Sequence, residues 1–96
     1  MTFSFHPEAR DEFNEAIEYY ENCEAGLGYD FSIEVHTAIQ NMVNYPTAWP
    51  VVEEDVRRCL VNRFPYGIIY NIEGGEILIL AVMHLRRHPD YWKNRS

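Results

Sequence analysis

The sequence predicts an α+β domain of order β-α-α-β-β-β, a helical hairpin packed on one face of an antiparallel sheet. Three observations carry this. Gly74-Gly75 separates two β-branched runs and is a strong two-residue hairpin signal, because the turn needs positive φ. Phe64-Pro65 marks a second turn before the same runs. Upstream, two stretches with helical apolar spacing are joined by a short glycine link, the signature of antiparallel helices.

The elements follow in order. Thr2 to His6 alternates, with Phe3 and Phe5 on one side, and predicts a short strand. His6-Pro7 starts a helix, since proline suits the first helical position. Glu8, Asp11 and Glu12 favour its N-terminal dipole. Ala9, Phe13, Ala16, Ile17 and Tyr20 form its apolar face, opposite Glu15, Glu18 and Glu21. Ala25-Gly26-Leu27-Gly28 ends it. A second helix runs from about Leu27 or Tyr29 to Asn44, with Phe31, Val35, Ala38, Ile39, Met42 and Val43 as its stripe. Asn44-Tyr45-Pro46 closes it, and Trp49 in the stiff loop to Pro50 is expected to cap the core. Glu53-Glu54-Asp55 leads into the sheet.

In the last third, pairing about Gly74-Gly75 sets Glu73 opposite Glu76, Ile72 opposite Ile77, Tyr70 opposite Ile79 and Ile68 opposite Ala81. Strict alternation then puts Tyr66, Ile68, Tyr70, Ile72, Ile77, Ile79, Ala81 and Met83 on one face, with Cys59 and Val61. The other face receives Arg58, Leu60, Asn62, Gly67, Ile69, Asn71, Leu78, Leu80, Val82 and His84. The first face is expected to meet the helices, and the second to meet a partner or substrate.

Ninety-six residues, 47% hydrophobic, make one globular domain spanning 1-96. No apolar run approaches the roughly 20 residues of a membrane helix. Met-Thr-Phe-Ser-Phe-His lacks the basic start and long apolar stretch of a signal peptide, so the expected location is cytoplasmic. Cys23 and Cys59 fit a reducing compartment and are expected as buried small side chains. The net charge of −7 is unevenly placed. Met1 to Asp55 holds twelve acids and one base, whereas Val56 onward holds three acids and seven bases. An anionic partner is therefore expected at the C-terminal half; solubility alone also accounts for such a pattern. His84 and His88 lack a third ligand, so neither metal nor cofactor is expected.

An ordered set of pieces resembles the RelE/ParE superfamily of toxins from bacterial toxin–antitoxin pairs, once called plasmid-stabilisation proteins. These are Phe5-His6-Pro7-Glu8-Ala9, Tyr19-Tyr20, Gly26-Leu27-Gly28 with Phe31, Tyr45-Pro46, Trp49-Pro50, Arg57-Arg58-Cys59-Leu60 and Phe64-Pro65-Tyr66. Ile69-Tyr70, Ala81-Val82-Met83-His84, Arg87, Pro89-Asp90-Tyr91-Trp92 and Arg95 complete it. The resemblance implies the RelE/ParE toxin fold and neutralisation by a partly disordered cognate antitoxin. Some members cut messenger RNA on the ribosome without a metal. Others resemble ParE, which poisons DNA gyrase. Fold cannot choose between them.

Metal-free RNA cleavage needs an acid–base group and cations for the phosphate. His84, Arg87, Arg63 and Tyr91 would carry it, with Arg86 as a further phosphate contact. His84 also reads as a structural hydrogen-bonding residue. Against cleavage, the ribonuclease members carry an arginine after the first tyrosine of a Tyr-Arg-Leu-Val-Tyr strand. The matching stretch here is Tyr66-Gly67-Ile68-Ile69-Tyr70. The expectation is thus an interaction toxin of ParE type, with an RNase of RelE type second and a degenerate member that binds only its antitoxin third. The expected seat for an acidic antitoxin tail is Arg58, Leu78, Leu80, Val82 and Arg86.

Overall fold

The computed structural model describes residues 1–95. Its elements are β1 (Thr2–Phe5), α1 (Pro7–Cys23), α2 (Leu27–Asn44), β2 (Val51–Glu53), β3 (Val56–Leu60), β4 (Tyr66–Glu73) and β5 (Glu76–His84). The predicted α+β order is present, with one strand more than expected. β2 has only three residues, too few for a periodic signal. It exists because it pairs with β3 across a register shift, next to Glu54 at positive φ.

The helix signals act as read. His6 caps α1, its Nδ1 accepting from the Glu8 N–H at 3.2 Å, and Pro7 opens the first turn. Gly26 has no side chain with which to cap α2. Glu21 of α1 does so across the link, accepting from the N–H groups of Gly26 and Gly28 at 2.9 and 3.1 Å. A Cβ on Gly28 would lie 2.5 Å from the Ile17 carbonyl oxygen, so glycine is what lets the helices touch.

The strand order is β1-β5-β4-β3-β2. The sheet is mixed rather than purely antiparallel, because β1 lies parallel to β5, Phe5 reaching Ile79. Between β4 and β5 the tip pairs as expected, through Gly74 and Gly75 at positive φ, up to Tyr70 opposite Ile79. There the register slips. Ile69 faces Ala81, Ile68 faces Val82 and Tyr66 faces His84, so Leu80 is an extra residue in a β-bulge.

The slip reverses the second half of β5. Val82, expected on the outer face, is packed into the helix-side core, and Ala81 and Met83, expected there, lie outside. Leu80 stays outside but is buried, 2% exposed, beneath the C-terminal segment. An apolar strip of Leu78, Leu80 and Val82 is therefore not on offer. Alternation could not reveal this, because every residue from Ile77 to Met83 is apolar and either register satisfies the pattern.

The main core sits between sheet and helices, where Phe13, Phe31, Val35, Ile39 and Met42 meet Ile68, Tyr70, Ile77, Ile79 and Val82, with Trp49 against its edge. The buried Tyr70 donates its hydroxyl to the Pro46 carbonyl at 2.8 Å, tying the loop after α2 to the sheet. Burial pushes its pKa up to about 12. Cys59 is buried as expected. Cys23 is exposed, because it ends α1 at the turn, and both thiols are free. No helix among the described residues is long and apolar enough to cross a membrane.

Candidate functional site

β1 covers β5 only as far as Ile79, and the His6 N–H bonds the Ile79 carbonyl at 2.8 Å before the chain turns into α1. Beyond that point side chains take the place of a neighbouring strand. Glu12 of α1 accepts from the Val82 N–H at 3.1 Å. Arg95 donates to the Leu80 carbonyl at 3.1 Å and to Glu12 at 2.9 Å. Both side chains are nearly buried, 8% and 11% exposed. Such a pair holds because each charge meets its partner and a backbone group as well. Arg87 adds a 3.3 Å contact to the other Glu12 oxygen.

Between α1 and the end of β5 lies a cleft of about 240 Å³, lined by Glu12, Glu15, Tyr19, Tyr66, His84 and Arg87. His84 reaches it only because the bulge turns it to the helix side. Its Nδ1 accepts from the Arg86 N–H at 3.1 Å, and its ring stands edge-on to Tyr66 at 5.3 Å. The Tyr66 phenol is held above its ordinary pKa, by burial first and then by its neighbour Tyr20.

The four residues expected to cleave RNA do not converge. His84 and Arg87 share the cleft. Arg63, in the left-handed region, turns to α2 and lies 3.7 and 3.6 Å from Asp30 and Glu34. Tyr91 is stacked under the Arg87 guanidinium, 3.7 Å from ring centre, with Arg95 at 4.9 Å. Among the described residues its buried hydroxyl makes no well-formed hydrogen bond. Burial, then the nearby Glu12 carboxylate, raises its pKa, so the phenol stays neutral. Gly67 pairs with Met83 and lies on the outer face, opposite the cleft.

Of the residues expected to seat a partner, Arg58 is exposed and Leu78 half-buried on the outer face, and Arg86 is exposed beside His84. Leu80 and Val82 are buried. Sequence reasoning missed Glu12, taken only as a first-turn acid, and gave Arg95 no role. They stand 83 residues apart, and no local spacing links them. It placed Leu60, exposed opposite Gly67, on the outer face, but gave no role to Leu85, exposed beside the same glycine.

A family model described as ParE toxin of type II toxin-antitoxin system, parDE, matches residues 3–89. No curated protein matches the chain. A solved structure described as "Chromosomal ParDE TA system from P. aeruginosa" is similar in fold, with a TM-score of 0.74 and 16% identity over 88% of this chain and 95% of that one.

Proposed function

The chain belongs to the ParE toxin family of type II toxin–antitoxin systems, and from that premise we propose that it acts by binding a macromolecular target, DNA gyrase, and that a cognate antitoxin silences it. The observation that carries the choice of binding over RNA cleavage is the make-up of the cleft. Two carboxylates, Glu12 and Glu15, line it, and its one arginine, Arg87, is already paired with Glu12. RNA binding leans on phosphate neutralisation by free cations, and here the local charge opposes it. Arg63 is engaged with α2, and Gly67 supplies no phosphate contact.

The test is a supercoiling assay with purified gyrase. Inhibition, or trapped cleaved DNA, is the expected result, and unimpeded supercoiling at saturating protein refutes the gyrase reading. One observation favours the second reading, a ribosome-dependent ribonuclease: His84 and Arg87 do line one cleft. Messenger cleavage that vanishes in His84→Ala would establish that reading instead.

A further inference from the structure

The geometry points to Arg58 as the anion-recognising centre of a docking surface on the outer face of the sheet, built for an acidic, amphipathic segment of a protein partner. The inference rests on the reading that an antitoxin silences this chain, and it gives that contact a place.

Arg58 stands in β3 opposite Ile69. It lines a pocket of about 110 Å³ with Val52, Glu53, Met83, Asp90 and Trp92. Two carboxylates thus share its pocket, yet among the described residues neither pairs with it. Lys93 takes both instead, reaching Glu53 at 2.7 Å and Asp90 at 3.3 Å. Arg58 is left exposed with no ion pair and no side-chain hydrogen bond among the described residues, unlike Arg57 beside it, which donates to the carbonyls of Thr47 and Trp49.

The stem of Arg58 has a made place. A Cβ on Gly67 would lie 3.3 Å from both its Cγ and its Cδ, and 3.4 Å from a Leu85 methyl. The absent side chain at position 67 is therefore room in which the arginine lies across the sheet. Around it Leu60, Leu85 and Val52 are 54%, 43% and 42% exposed. Trp92 walls the pocket, and its buried indole N–H finds no acceptor among the described residues.

A free guanidinium takes a carboxylate in a two-pronged contact. Exposed aliphatic side chains beside it take apolar side chains of the same segment. A nucleic acid fits poorly, because a polyphosphate needs several cations in a row and this pocket offers one between two carboxylates.

The experiment titrates the full chain with the purified product of the reading frame adjoining its own, at low and high salt. Wild type binds, and binds less tightly as salt screens the contact. Arg58→Glu weakens binding at least about tenfold and flattens the salt dependence. Leu60→Asp weakens it as well, while Arg58→Lys keeps part of the affinity. Arg10→Glu, at the Phe5 ring, leaves it unchanged. Melting temperatures of the Arg58 variants stay within about 2 °C of wild type, since only exposed packing of the stem is lost and no ion pair or side-chain hydrogen bond among the described residues. Tight wild-type binding that Arg58→Glu leaves intact overturns this surface but not the antitoxin reading. Absence of wild-type binding overturns the antitoxin reading itself. A duplex DNA arm completes the set: DNA binding that Arg58→Glu abolishes, with protein binding intact, overturns the assignment to a protein partner.

Discussion

The two faces of the sheet carry similar aliphatic side chains and are covered by different means. On the inner face Ile68, Tyr70, Ile77, Ile79 and Val82 lie under two helices of 17 and 18 residues. On the outer face Ile69, Leu80, Ala81 and Met83 lie under Trp92 and Tyr91 of the segment after β5. The inner cover is made by apolar stripes. The outer cover is held largely by charge, through Arg95 on Glu12 and Lys93 on Glu53. The two covers leave the domain different amounts of surface to spare. A face closed by helices is committed to stability. A face closed by a short strap leaves part of itself, around Arg58 and Leu60, open for contact.

Substitution on the inner face should cost the most stability. Phe31 is fully buried and meets Phe13, Tyr20, Phe64 and Tyr66. Phe31→Ala should cost about 3–5 kcal/mol in denaturant unfolding, from lost transfer energy and the cavity left behind. A loss below about 1 kcal/mol would mean that the aromatic cluster is not the core.

Next comes the link between helix layer and strap. Glu12→Ala leaves Arg95 nearly buried beside an unmet Val82 N–H, and should cost about 3 kcal/mol. Hydrogen exchange should show the Val82 amide losing protection first. If stability falls but that amide stays protected, Glu12 is not closing the strand edge.

A smaller effect is expected in alkali. Burial pushes the Cys59 thiol from its ordinary 9.0 up to about 11. Between those values the unfolded chain has lost this proton while the folded chain keeps it. The stabilising contribution is therefore full below pH 9 and is lost as pH rises through 11, by at most about 2–3 kcal/mol. Cys59→Ala should flatten the slope in that window. An unchanged slope would assign it to the raised tyrosines, Tyr91 and Tyr70 foremost.

The open part of the outer face should respond least. Arg58→Glu on the open part of the outer face should alter unfolding free energy by no more than about 0.5 kcal/mol. A larger loss would show that the arginine belongs to the strap rather than to a contact surface.

The local part of this protein is legible in its sequence. Helix starts and stops at His6-Pro7, Gly26 and Tyr45-Pro46, the two apolar stripes, the Gly74-Gly75 turn and the β4–β5 pairing as far as Tyr70 all rest on signals within a few residues. The ordered motifs that resemble the toxin superfamily were legible for the same reason. Only the tertiary structure decided which face the end of β5 presents, because an unbroken apolar run from Ile77 to Met83 fits either register equally well and the bulge at Leu80 makes the choice. It also decided that β1 runs parallel to β5, that Glu12 and Arg95 finish the strand edge where β1 stops, and that Arg58 lies in the space Gly67 leaves. These contacts join residues far apart in the chain, as far as 83 positions. Their energy comes from groups brought together by packing, and no spacing within one segment records it.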